Sequence, residues 1–219
     1  MLTLLTLLTL LTLDQNHTSV KSNEGTYHHG NLRVALIELG FSTLELQTSK
    51  DAKLLNLRDL AKKLGVSATA VYRHFPNKEA LMVAIAAEGF RRFSAEHIKA
   101  FKQEDVPFKA LHAAGCAYVK FAQKHSVLFR LMFSSFAEMR KDPEVYEASL
   151  QTYKTLCEWV AQILDIDDLN DPRVSIAVLQ AWGLTHGISM LIIDNMLDTI
   201  VLDIDEAVSS ALGKSIFNI

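Results

Sequence analysis

Apolar positions along this chain recur with helical spacing, in blocks separated by short polar breaks. Leu32, Ala35, Leu36 and Leu39 stand at i, i+3, i+4 and i+7, the inner face of a first helix that Asn31 caps. Leu57, Leu60, Ala61 and Leu64 repeat the spacing in a short second helix, with Asn56 as its cap and Asp59 in its first turn. Gly65 follows where a left-handed residue ends such a helix, and Ser67 is the next cap. A third short helix over Ala68–Phe75 turns Val71 and Phe75 inward. Asn77 caps a fourth, over Lys78–Lys99, in which Phe90 and Phe93 pack.

Asp105-Val-Pro107 breaks the chain, and residues 108–134 make one or two further helices. Proline in the first helical position behind an aspartate cap opens two more, from Asp142-Pro143 to about Leu164 and from Asp171-Pro172 to about Leu197. The second is apolar nearly all round (Ile176, Val178, Leu179, Trp182, Leu184, Ile188, Met190, Leu191, Ile192), which predicts burial on several sides. Gln180, Thr185, His186 and Asp194 interrupt it and argue against a membrane span. Asp203 caps a last helix closing near Gly213. The pattern predicts an all-α fold of about nine helices and no strand.

Met1–Leu13 is different: a leucine–leucine–threonine repeat of period 3. That period keeps neither one helix face nor one strand face apolar. The run is too short to cross a bilayer and lacks the basic start and cleavage site of a signal peptide. It reads as an extension encoded by a short DNA repeat, with a displaced start; a docking helix and a membrane anchor are the alternatives. Asp14–Gly25 is a polar linker, so residues 1–25 stay outside the fold argument.

Composition agrees with a helical reading. Gly and Pro number 13 of 219 residues, about half of average usage. A hydrophobic content of 49% supplies a core and excludes disordered and collagen-like classes. Cys116 and Cys157 fit neither a zinc pattern nor a disulfide framework, and read as buried small hydrophobes in a reducing cytosol. Charge is uneven: residues 26–100 carry 11 Lys and Arg against 7 Asp and Glu, and residues 101–219 carry 10 against 16. A basic front with an acidic back suggests an anionic partner for the front alone.

Two short helices across a turn containing one glycine make a helix-turn-helix. Its core is Leu60, Ala61, Leu64, Gly65, Val71 and Phe75: Ala61 is small enough for a close crossing, and Val71 buries beneath it. The outward residues are candidates for DNA. Ser67, Ala68, Thr69, Ala70, Tyr72, Arg73 and His74 lie round the start and exposed side of the second helix, which suits a major groove. Asn56, Tyr72 and Lys78 complete the set, Tyr72 and Lys78 as phosphate contacts. Lys78 opposes the dipole of the helix it opens, which a phosphate would explain; a solvated charge is the plainer reading. For His74 the plainer reading is a partly buried imidazole bonded within the motif.

The run LRDLAKKLGVSATAVYRHFPNKEALM resembles the DNA-binding signature of TetR/AcrR-type regulators. Gly65, Val66, Ser67, Val71, Tyr72, His74, Phe75, Lys78, Glu79 and Leu81 carry the match. Upstream, Tyr27–Arg33 is similar to the YHHGxLR opening of one subgroup. Downstream, Trp182, His186 and Gly187 are similar to that subgroup's C-terminal W-x-x-x-H-G pattern. The segment LQTSKDAKLLN is longer than the usual pattern and lacks its glycine.

The resemblance implies a helix-turn-helix domain over 26–77 with its core at 57–75, a connecting helix over 78–100, and a ligand-binding and dimerisation domain over 101–219. It implies a cytoplasmic, nucleoid-associated, homodimeric regulator, a repressor released by a small apolar ligand. Its partners would be palindromic double-stranded DNA, a second copy and that ligand, with no membrane and no cofactor. Trp182 and His186 are candidates for the pocket or the dimer contact, and a bonded core histidine is the plainer reading of His186. A nucleoid or protein-interaction factor using the same fold is the alternative.

Catalytic signals are lacking. No GxSxG, HExxH, P-loop or GxGxxG occurs, and no metal site is expected. The acidic cluster at 165–171 lacks the glycine and glutamate of a calcium loop and reads as a solvated connection. The expectation is a non-enzyme.

Overall fold

The computed structural model describes residues 32–45, 55–134, 139–197 and 203–213. The repeat at 1–13, the linker, the Tyr27–Asn31 opening with its proposed cap, and most of the long segment before Leu57 lie outside the described residues. Among those described there are nine helices and no strand. They are α1 (Leu32–Glu45), α2 (Leu57–Lys63), α3 (Ala68–His74), α4 (Lys78–Phe101), α5 (Pro107–Lys124), α6 (Ser126–Ser134), α7 (Pro143–Leu164), α8 (Pro172–Ile193) and α9 (Ile204–Ala211).

Caps fix most of these starts. Asn56, Ser67, Asn77, Asp142, Asp171 and Asp203 each accept a backbone N–H of the first turn. At the end of α2, Gly65 takes a left-handed φ of 66°. Val66 N–H then bonds Ala61 O at 3.0 Å and Gly65 N–H bonds Lys62 O at 3.2 Å, closing the paired-bond C-cap that a left-handed residue permits. The same device ends α8 earlier than expected: Asn195 is left-handed at φ 56°, and Met196 N–H returns to Leu191 O. The helix therefore stops at Ile193 rather than near Leu197.

One core runs through α1–α3, α4 and the α5–α6 joint, from Leu36, Val71 and Phe75 through Leu81 and Ile85 to Phe121 and Phe129. Helix α4 is thus shared between the two halves along its length and is more than a connector. A second core joins α5, α7, α8 and α9 through Val119, Cys157, Val160, Val178 and Val208. Both cysteines are buried and free.

Burial of α8 departs from expectation. Only the side with Val174, Ala177, Val178, Ala181, Thr185 and Ser189 is buried. Ile176, Leu179, Leu184 and Leu191 are exposed, Leu179 by 68%. Among the described residues, α5, α7 and α9 pack on the buried side, and none of them covers the opposite apolar stripe. By length and apolarity α8 could cross a membrane, but its inner side belongs to the core.

Candidate nucleic-acid interface and apolar cavity

Helices α2 and α3 cross over Ala61, Val71 and Phe75, which are 3%, 0% and 2% exposed. That packing leaves the other side of α3 in solvent. Ser67, Thr69, Tyr72, Arg73 and His74 are exposed, and Ala68 and Ala70 are half-buried. His74 is therefore on the surface, not bonded inside the motif. Asn56 and Ser67 are exposed and already serve as caps, through Asn56 Oδ1 to Arg58 N at 2.9 Å and Ser67 Oγ to Ala70 N at 3.2 Å. Lys78 is half-buried in the first turn of α4. Arg58, Lys62 and Lys63 add exposed cations on α2 beside the recognition helix. The face thus offers small residues at the helix start, a phenol and guanidinium further along, and flanking positive charge. That combination suits groove entry and phosphate contact.

Polar contacts join this domain to the rest. Arg33 on α1 lies over the Phe75 ring, 5.6 Å from its centroid, and donates to Glu144 Oε2 at 2.7 Å. Arg91 on α4 donates to the other oxygen of Glu144 at 2.6 Å. Partial burial alone would raise the Glu144 carboxyl, but bonds from Arg91 and Arg33 hold it below its ordinary range. Arg92 lies over Phe41, 4.1 Å from the ring centroid, and pairs with Glu38 and Glu88. Glu144 sits in the first turn of α7. A short chain of contacts therefore runs from the end of the recognition helix to the start of α7.

Further along α7 lies a cavity of about 320 Å³, bounded by α4, α5, α7, α8 and Leu212 beyond α9. Phe90, Phe93, Ser94 and His97 line it from α4, at i, i+3, i+4 and i+7; Tyr146, Ser149, Leu150 and Tyr153 do so from α7 at the same spacing. Of these, the sequence reading named only Phe90 and Phe93, as packing positions; that the two stripes face one another follows from the packing. Arg33, Arg91 and Glu144 carried no local signal at all.

The two candidates on α8 separate. Trp182 lines the cavity, whereas His186 lies behind it. Tyr118 joins them: Trp182 Nε1 donates to its hydroxyl at 3.3 Å, and that hydroxyl lies 2.7 Å from His186 Nδ1. Indole only donates, so the tyrosine oxygen accepts from Trp182, and the direction of its bond to His186 follows the imidazole tautomer. Burial lowers the His186 pKa and raises that of Tyr118, keeping both neutral. His186 is further held between Phe129 and Phe133, as a bonded core histidine. Among the described residues, no cluster of three His, Cys, Asp or Glu could hold a metal.

A helix-turn-helix with an exposed recognition face, set on a larger helical domain, defines a DNA-binding transcriptional regulator. Residues 42–85 match the family model described as bacterial regulatory proteins, tetR family. Residues 111–214 match the model described as tetracyclin repressor-like, C-terminal domain. No curated protein matches. Among solved structures, the chain is 34% identical to a Rhodococcus sp. RHA1 protein of unknown function, with TM-score 0.73, covering 89% of this chain and 98% of that one. A TetR-family regulator from Streptomyces coelicolor has 14% identity and TM-score 0.65, covering 84% of this chain and 78% of that one. The TetR-family regulator PfmR from Thermus thermophilus has 18% identity and TM-score 0.57, covering 84% and 97% respectively. The chain belongs to the TetR family of transcriptional regulators.

Proposed function

We propose that this regulator is a homodimeric, ligand-released repressor of the W-x-x-x-H-G subgroup, working in the cytoplasm on a palindromic operator and carrying out no catalysis. Asn56, Ser67, Ala68, Thr69, Ala70, Tyr72, Arg73, His74 and Lys78 form its DNA contact, with Tyr72 and Lys78 on phosphates. The observation that carries ligand release is the contact chain from Phe75 through Arg33 to Glu144 at the head of a cavity-lining helix. A ligand that shifts α7 changes the seat of α1 and, through it, the angle of α3. Release requires only that the ligand bind the displaced arrangement better than the DNA-bound one.

Dimerisation rests on the uncovered stripe of α8. Ile176, Leu179, Leu184 and Leu191 flank Gly183 and Gly187, and nothing among the described residues lies within 4 Å of where a Cβ would stand at either glycine. A second copy fits that stripe because small residues let two helix backbones approach closely while the flanking leucines bury. Two-fold pairing presents two recognition helices to half-sites one turn apart, ~34–36 Å. Light scattering of free protein and footprinting of its complex test this together. A dimer protecting two symmetric half-sites is expected; a monomer protecting one half-site would overturn the dimer.

A further inference from the structure

Seven residues make α3 about 10 Å long, short enough to lie wholly within a major groove about 12 Å wide. Val71 and Phe75 fix its inner side. At roughly 100° per residue, Arg73 stands about opposite that side, and Thr69 about 40° from Arg73. Tyr72 and His74 lie about 100° round from Arg73, one on each flank. Exposure agrees: these four residues are in solvent, while Ala68 and Ala70 are half-buried. A helix seated in the groove on this face turns Arg73 and Thr69 to the base edges. Its flanks, with Tyr72 and His74, meet the groove walls, where the phosphates stand.

The polar inventory of that face is short. Ser67 Oγ already caps the helix by accepting from Ala70 N–H, and Ala68 and Ala70 carry no side-chain donor. Thr69 has a single hydroxyl. Arg73 alone brings a planar fork of several N–H donors. It is also uncommitted. Arg33, Arg91, Arg92, Arg130 and Arg173 each pair with a carboxylate, whereas Arg73 has no ion pair among the described residues. An arginine without a carboxylate, at the centre of an exposed face, keeps its donors for a ligand.

We infer that Arg73 reads one guanine in each half-site of the operator, donating two parallel N–H bonds to its N7 and O6, and so fixes one base pair of the recognition sequence. The inference rests on the operator binding proposed above for the same face, and assigns Arg73 to a base edge rather than to the backbone. In the major groove guanine presents two adjacent acceptors, which the guanidinium fork matches. Adenine sets an N–H donor beside its N7, so the fork would meet a donor where it needs an acceptor. A second copy places the same arginine on the other half-site, so the pair recurs symmetrically.

Selection from a duplex library with a random core, using the full-length protein, finds the preferred sequence. Wild type is expected to enrich a G·C pair at one position of each half-site. Arg73→Ala is expected to lose the preference at that pair and to keep it at the others. By anisotropy, changing the pair to A·T in one half-site weakens wild type about tenfold or more, and Arg73→Ala less than about twofold. Replacing its guanine with 7-deazaguanine removes the N7 acceptor and is expected to weaken wild type alone. Arg73→Lys keeps the charge without the fork; it is expected to retain a weaker guanine preference, and it carries the comparison if Arg73→Ala unfolds. The inference is overturned if Arg73→Ala keeps the whole preferred sequence, if the pair it loses is not G·C, or if its only change is a salt slope lower by about one, the mark of a phosphate contact. Each of those results leaves operator binding standing. Wild-type protein that enriches no sequence overturns operator binding and this inference together.

Discussion

Replacing Leu179 with Gln weighs the uncovered stripe of α8. Leu179 is 68% exposed in the single chain, so about two-thirds of its side chain is available to bury against a second copy. Full burial of a leucine contributes roughly 1.5–3 kcal/mol, and that fraction contributes about 1–2 kcal/mol. In a two-fold interface the residue occurs twice. L179Q therefore weakens the dimer by about 2–4 kcal/mol, or roughly 30- to 700-fold at 1.4 kcal/mol per decade. The lone chain loses little, because the side chain packs on little of its own core. Sedimentation over a dilution series measures the dimer constant, and circular dichroism checks that helix content and melting of the monomer are unchanged. A shift below threefold, from a wild-type protein that is dimeric, would refute the assignment of α8 to the interface.

Other outcomes follow from the same structure. Glu144→Gln should cost under about 1.5 kcal/mol in stability, since its partners are partly exposed. It should nevertheless change affinity for the DNA upstream of the gene, because the seat of α1 is altered; unchanged affinity would remove the Arg33–Glu144 contact from the signalling route. His97 stays neutral in the fold down to about pH 3, while the unfolded chain takes up a proton near pH 6.5. Between those values the unfolded state binds more protons, so stability is full above pH 6.5 and falls as the solution is acidified. The loss from His97 alone is on the order of 1 kcal/mol at pH 5.5. Urea melts of the wild type and His97→Gln should show the variant with the shallower acid slope, and parallel slopes would contradict this. Gly65→Ala forces a Cβ onto a φ of 66° and should cost about 1 kcal/mol in thermal unfolding; no measurable change would mean that the turn relaxes.

The helix starts were legible because each is a one-residue decision. An Asn, Ser or Asp that accepts a first-turn amide marks its helix without help from the rest of the fold. The recognition face was legible for a similar reason: Val71 and Phe75 fix the inner side of a two-turn helix, and the outer residues follow. The end of α8 was not, since Asn195 in a left-handed turn leaves no periodic signature. Nor was the open flank of that helix. Apolar residues all round its circumference predict burial, but they do not say whether this chain or another provides it. The Arg33–Glu144 contact needed packing, because its partners lie on helices far apart in sequence.

The most direct test is fluorescence anisotropy of the purified protein on the DNA upstream of its own gene, against a scrambled duplex, across a salt series, with Tyr72→Phe plus Lys78→Ala as the variant. The account predicts tight binding to the upstream DNA alone and steep weakening with salt. It predicts that the variant loses affinity with a shallower salt slope. Equal weak binding to both duplexes, untouched by the double substitution, would contradict operator recognition there through the assigned face.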